Sequence, residues 1–340
     1  MHPGVVAAFA ASGGLITRSA ALDLGLSPAT IRSLVRHGEW VLVRRGVYCD
    51  APIWQAADEY VGRPRLRARA AILTMRRAWV LSHDSAAHEL GLAILAPPAP
   101  FVHITRPGFT GAWTEYGVKH HLARFHPEQV LHVNDVPVLD HARTAVDIGR
   151  ERGERDGLIA CDSALRMGVR RSELEAALEP MRNWPNVTRA RTAVGLADGG
   201  AQNPGEGLLR ELVIELALSP EWPETQFPLW IEDRVAWCDL RVGCHVFEFD
   251  GRVKYRRADE GGFADRPEDV IWAEKKRERL IAAEGLGVSR LIWEDFWGER
   301  REAAKVRVRA EWEVTRARFG TRLPEHLVRA AAAIRAQRGA

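Results

Sequence analysis

Residues 235–255 read Val-Ala-Trp-Cys-Asp-Leu-Arg-Val-Gly-Cys-His-Val-Phe-Glu-Phe-Asp-Gly-Arg-Val-Lys-Tyr. Val235, Trp237, Val242, Val246, Phe247 and Phe249 are the β-branched and aromatic types that suit a pleated surface. Gly243 marks a tight turn, so the stretch predicts two adjacent antiparallel strands. Glu248 and Asp250 are two apart and share a strand face. A hairpin turning near Gly243 brings Asp239 close to Glu248 across the ladder. Carboxylates gathered at strand ends repel one another unless a hard cation sits between them. Lys254 follows at once as a cation for a phosphate. The residue types and their order point to metal-dependent phosphodiester chemistry.

The run Asp239…Glu248-Phe-Asp250-Gly251…Lys254-Tyr255, then Trp272-Ala-Glu-Lys-Lys-Arg-Glu-Arg-Leu280, Gly285 and Val288-Ser-Arg-Leu-Ile-Trp293, resembles an endonuclease-like domain of unknown function. That domain is related to very-short-patch-repair nucleases of the PD-(D/E)xK superfamily. The resemblance covers roughly residues 203–297 and implies a restriction-endonuclease-like α/β/α fold. Pro204-Gly-Glu206-Gly-Leu-Leu-Arg210 matches the helix that opens such domains, with an early Glu aimed at the metal. The resemblance implies Glu206, Asp239 and Glu248 as ligands of Mg²⁺ (or Mn²⁺), with help from the Phe249 carbonyl. A bound water would then attack the phosphate in line. Lys254 or Lys275 would stabilise the growing charge. Asp250 stands where the superfamily signature has lysine; it would orient a basic side chain or bind a second metal. Arg256 and Arg257 extend the basic cluster beside the acids, the right complement for a phosphate backbone. Without an ion, Glu206 could equally serve the dipole of its own helix.

The N-terminal fifty residues have a different logic. Ile16 to Gly25 reads as a short helix that Thr17 caps and Gly25 ends. Ser27 is a good N-cap for a second helix, and Pro28 sits at the first helical position, where its missing N–H costs nothing. Ile31, Leu34 and Val35 fall on one face of that helix, with Thr30, Arg32, Ser33 and Arg36 outside it. Trp40-Val-Leu-Val-Arg-Arg-Gly-Val-Tyr48 predicts a hairpin with Arg44 and Arg45 near its tip. Helix, tight turn, helix and basic hairpin make a winged helix-turn-helix, whose second helix can enter a major groove. Arg32 and Arg36 are candidates for base edges or phosphates; Arg44 and Arg45 suit phosphates. The segment, with Gly13-Gly14-Leu-Ile-Thr17 ahead and Arg45-Gly-Val-Tyr48 behind, resembles the N-terminal domain of the AbiEi family. Those are antitoxins of type IV toxin–antitoxin systems that act as DNA-binding autorepressors.

Residues 51–66 carry Pro52, Gly62 and Pro64 around a short polar helix and read as a linker. Arg65 to Met75 predicts a basic helix. Phe101–Thr105, Val118–Leu122 and Val136–Leu139 predict strands, and helices are expected over Arg143–Glu151 and Arg155–Met167. Ser172 with Glu175 has the capping-box spacing for a further helix. Ser82-His-Asp-Ser-Ala-Ala-His-Glu-Leu-Gly91, Val102-His-Ile-Thr105, Val138-Leu-Asp-His-Ala-Arg-Thr-Ala-Val-Asp147 and Asp162-Ser-Ala-Leu-Arg166 resemble the body of AbiEi-like proteins. His83, His88, His103, His120, His121, His126, His132 and His141 lack the i, i+4 spacing of a metallohydrolase helix. A packed scaffold or protein-binding surface is therefore expected here.

The expected organisation is an α/β multidomain chain. A winged helix-turn-helix spans 1–50, a linker 51–66, an α+β middle domain 67–198, the endonuclease-like domain 203–297 and an Arg- and Ala-rich helical tail 298–340. The tail is expected to be solvated and partly frayed. A net charge of +3 over 340 residues leaves nucleic-acid contact to local patches. Four scattered cysteines without Cys-x-x-Cys argue for a reduced compartment and against a zinc site. No apolar run reaches membrane-spanning length, and a cytoplasmic protein is expected. Two functions follow: a metal-dependent endonuclease acting on double-stranded DNA, or an antitoxin-type autorepressor whose nuclease-like fold does no chemistry. Both leave room for a cognate toxin or a neighbouring defence protein as partner.

Overall fold

The computed structural model describes residues 3–75, 80–97, 99–109, 111–232, 234–251, 277 and 279–339. The described residues form a mixed α/β protein with three sheets. The chain forms two compact units, one of residues 1–164 and 169–195, the other of 165–168 and 196–340.

The first unit begins with α1 (Pro3–Ala11), β1 (Leu15–Thr17), α2 (Arg18–Asp23), α3 (Pro28–Arg36), β2 (Trp40–Arg44) and β3 (Val47–Asp50). The strands lie in the order β1-β3-β2, all antiparallel. This is the winged-helix plan, and its predicted caps are in place. Thr17 accepts from the Ala20 N–H at 3.1 Å, and Ser27 from the Thr30 N–H at 3.0 Å. Val5, Phe9, Ile16, Ala21, Ile31 and Trp40 form one apolar cluster, with Leu34 and Val35 packed against it.

The 51–66 stretch does not behave as a linker. It forms α4 (Ala51–Ala56) and enters α5 (Gly62–Leu73). The Asp58 carboxylate organises the turn between them by accepting from the N–H groups of Tyr60, Val61 and Gly62. Leu66 and Ala70 of α5 join Leu15, Val47 and Cys49 in a second apolar cluster. Helix α5 thus closes the underside of the winged-helix sheet, an outcome that its four arginines disguise in the sequence.

Next come β4 (Val80–Leu81), α6 (His83–Leu90), β5 (Val102–Arg106), β6 (Gly111–Glu115), β7 (Val118–Leu122), β8 (Val130–Val133) and β9 (Val136–Leu139). They build a six-stranded sheet in the order β6-β7-β5-β4-β9-β8. Helices α7 (His141–Arg152), α8 (Glu154–Arg166), α9 (Arg171–Leu178) and α10 (Val187–Leu196) follow. The capping residues of α9 lie two positions earlier than expected. Glu173, not Glu175, reaches back to accept from the Arg170 N–H at 2.7 Å.

The second unit opens with α11 (Pro204–Leu216), capped by Asn203, whose side chain accepts from the Glu206 N–H at 3.0 Å. Strands β10 (Glu224–Ile231), β11 (Arg234–Val242), β12 (His245–Asp250) and β13 (Gly287–Ile292) pair in that order. The first three are antiparallel and β13 runs parallel to β12. The β11–β12 turn falls at Gly243, whose φ of +55° only glycine adopts readily. Helices α12 (Gly298–Phe319) and α13 (Glu325–Gly339) complete the unit. They are not a frayed tail. Ala304, Val308 and Trp312 of α12 are buried, and Leu327 and Ala331 of α13 share a core with Phe227, Leu229, Cys238 and Val246. The buried stripe of α12 runs at helical spacing but is made of few, mostly small residues among charges.

Candidate functional site

Helix α3 is held from one side and open on the other. Ile31 is buried against Trp40 and Phe9, which fixes the helix on the domain. Arg32 and Arg36 lie on the exposed face of α3, and no acidic residue lies within the helix. Arg45 is exposed in the wing turn between β2 and β3. Arg44 ends β2 at the wing turn as expected, but its side chain is turned inward. It is half-buried and lines a cavity with Glu59, Tyr60, Asp84 and His88. Burial there lowers the pKa of its guanidinium. A bulge at Leu42/Arg44 accounts for the turn inward, since the extra residue re-aims the side chain.

In the second unit the expected hairpin forms, and Leu240 pairs with Phe247. That register carries Asp239 towards Glu248, and the Asp239 Oδ2 accepts from the Phe249 N–H at 2.8 Å. The carboxylates nonetheless have protein partners. Glu248 Oε1 receives Arg277 Nη2 at 2.7 Å, and Arg290 Nη2 lies 3.8 Å from its Oε2. Glu206 accepts from the Gln202 N–H at 2.7 Å, from Asn203 Nδ2 at 2.6 Å and from Gln226 Nε2 at 3.2 Å. Burial raises its pKa despite those donors. Glu206 thus ties down the start of its own helix, holding the Gln202 N–H and the Asn203 side chain just ahead of it.

Phe249 explains why Glu206 and Glu248 diverge. A Cβ on Gly205 would lie 2.2 Å from the Phe249 ring, so α11 rests directly on that side chain. Glu248, the next residue along β12, points to the opposite face by strand alternation. Asp250 ends β12 and is half-buried. The proposed ligand trio Glu206, Asp239 and Glu248 is thus not assembled as a cation cage. Lys254, Arg256, Arg257 and Lys275 lie outside the described residues.

A compact cluster of metal-capable side chains lies elsewhere, where the sequence suggested only a scaffold. Among the described residues, His83, His103 and His121 are the one group of His, Cys, Asp or Glu whose ligand atoms all lie within 4.8 Å of one another. Strands β5 and β7 run parallel with Thr105 opposite His121, which puts His103 and His121 on one face. His83 starts α6 with φ +49°, a left-handed backbone that is uncommon for a non-glycine residue. His103 Nδ1 and His121 Nε2 are 3.0 Å apart, and the His83 and His121 rings stack with centroids 3.9 Å apart. Burial, followed by the neighbouring histidines, lowers the pKa of His83 well below the usual value. Burial likewise takes His103 down to about 3 and His121 to about 4. No i, i+4 pattern reveals this group, because one sheet and one helix start bring the three together.

Residues 5–49 match the family described as "Transcriptional regulator, AbiEi antitoxin". The N-terminal region is therefore of the AbiEi antitoxin regulator type. The chain is also 34% identical over 109 residues to an uncharacterised protein of Mycobacterium tuberculosis strain CDC 1551 / Oshkosh. The same identity over the same length holds for an uncharacterised protein of strain H37Rv. Each match takes in 30% of this chain and 39% of the relative, so the chain spans well under half the length of these relatives. Among the described residues no helix is long and apolar enough to cross a membrane.

Proposed function

We propose that the chain is a DNA-binding transcriptional regulator of the antitoxin type, which reads double-stranded DNA with α3 and steadies itself with the wing. The carrying observation is the two-sidedness of α3: Ile31 buried in the core, Arg32 and Arg36 exposed on the other side. Such a helix offers its outer face to base edges and phosphates. Arg45 adds a phosphate contact from the wing. The second unit then serves as a retained fold without turnover, and a cognate toxin or neighbouring defence protein would be the protein partner.

Binding of the full-length protein to the DNA upstream of its own gene tests this. The affinity should fall steeply with salt and need no metal. Failure to bind that DNA above the level seen with unrelated DNA counts against the reading.

Metal-dependent cleavage is the second reading, favoured by the register that brings Asp239 towards Glu248. It requires Arg277 and Arg290 to give way to Mg²⁺ or Mn²⁺. Asp250 and, from outside the described residues, Lys254 and Lys275 would then supply the remaining chemistry, with Arg256 and Arg257 on the DNA backbone.

A further inference from the structure

We propose that His83, His103 and His121 form a divalent transition-metal site of the three-histidine kind, fitting Zn²⁺ best, with its fourth position open to the adjoining cavity. The donor set is all imidazole nitrogen, which suits Zn²⁺ and its first-row neighbours rather than Mg²⁺ or Ca²⁺. The site does not rest on the regulatory reading and lies in the first unit, whereas Glu206, Asp239 and Glu248 belong to the second.

The geometry selects the ligand atoms. His103 Nδ1 and His121 Nε2 already face each other at 3.0 Å. Two nitrogens bound tetrahedrally to Zn²⁺ at about 2.0–2.1 Å stand about 3.3 Å apart. His83 Nδ1 lies 3.0 Å from Ser82 Oγ, which leaves its Nε2 as the donor. All three donor atoms lie within 4.8 Å of one another, a spread that small ring rotations can close around an ion.

The surroundings support the ligands. Asp84 Oδ2 lies 3.8 Å from His103 Nε2, the far nitrogen of that ring. A carboxylate hydrogen-bonded behind a metal-bound histidine orients the ring and raises its basicity; at 3.8 Å, Asp84 would reach that distance only as the ring turns onto the ion. Glu151 and Asp147 both bear electrostatically on His121. A cavity of about 200 Å³ is lined by His83 and His121 together with Asp147, Arg150, Glu151 and Trp184. It is large enough for water or a small anion at the open position. The left-handed backbone of His83 places that ring against His121, and strain of this kind gathers at functional sites.

The test uses full-length protein stripped with a chelator and titrated with Co²⁺ or Zn²⁺ alone. One equivalent should bind, and Co²⁺ should give the visible bands of a four- or five-coordinate ion, which Zn²⁺ then bleaches. His83→Gln and His121→Gln should each weaken uptake by at least about 100-fold, beyond the range seen for loss of a supporting outer residue. His132→Gln, at an exposed histidine on β8, should leave uptake unchanged. X-ray absorption of the Zn²⁺-loaded wild-type protein should show three imidazole ligands, and it decides the matter even if a variant fails to fold. The proposal is overturned if the wild-type protein takes up no metal, if fewer than three imidazoles surround the ion, or if both ligand substitutions leave uptake intact.

Discussion

Arg277 Nη2 sits 2.7 Å from Glu248 Oε1, so the acid at the centre of the expected metal site is already neutralised by a cation of the protein. Removing Glu248 takes from Arg277 and Arg290 the acid that both approach. Glu248→Ala should therefore destabilise the protein by about 1–3 kcal/mol, less than a fully buried pair because Arg277 keeps some exposure. Urea unfolding measures this. Supercoiled plasmid incubated with wild-type protein and Mg²⁺ or Mn²⁺ should remain uncut. Nicking that disappears in Glu248→Ala would restore the cleavage reading.

Arg32 and Arg36 should matter for DNA and not for folding. Each is exposed, so Arg32→Ala and Arg36→Ala should leave the melting temperature nearly unchanged. A lost phosphate contact lowers the salt slope of binding by about one, and a lost base contact costs about 1–3 kcal/mol and relaxes specificity. Fluorescence anisotropy across a salt series separates the two. Arg44→Ala should change the salt slope less than Arg45→Ala, because Arg44 turns into the cavity.

Trp40 anchors the winged helix from beneath. It is 1% exposed, and its ring meets Phe9 edge-on at 5.2 Å and Tyr48 at 5.6 Å. Trp40→Ala should cost about 3–5 kcal/mol. Chemical denaturation would read this loss, and DNA binding should weaken with it because α3 loses its seat.

Stability should depend on pH through buried neutral histidines in both units. Burial takes His245 to about 4, with its ring held between Thr315 and Ser289 at 2.7 and 2.8 Å. His103 at about 3 and His121 at about 4 behave alike. In the unfolded chain a histidine titrates near 6.5. Below that pH the unfolded chain takes up protons that the folded chain refuses, so stability falls as the medium becomes more acid. Each such group should cost up to about 2 kcal/mol at pH 5, with little change above pH 7. Denaturant midpoints flat from pH 7 to pH 5 would contradict this.

The winged helix was legible because its signals are local. Thr17, Ser27 and Pro28 cap and start helices through neighbouring atoms, and Ile31, Leu34 and Val35 repeat at one helical period. The β11–β12 hairpin was legible for the same reason, through Gly243 and its flanking apolar residues. Strand β6 leaves no sequence signal because it is exposed throughout and carries no alternation. Pairings between distant segments left no trace either. Nothing near Glu248 announces Arg277 as its partner, and nothing near His83 announces His121. Helix α5 hides its buried face because Leu66 is its one large apolar buried residue, and Ala68, Ala70 and Ala71 supply the rest.

That helix carries a practical corollary for anyone dissecting the chain. Leu15, Val47 and Cys49 are each 0% exposed because Leu66 and Ala70 roof them over. A fragment ending at residue 50 would expose this ceiling-less patch to solvent, inviting self-association in place of specific DNA recognition. The shortest autonomous reading head should therefore extend at least through Leu73.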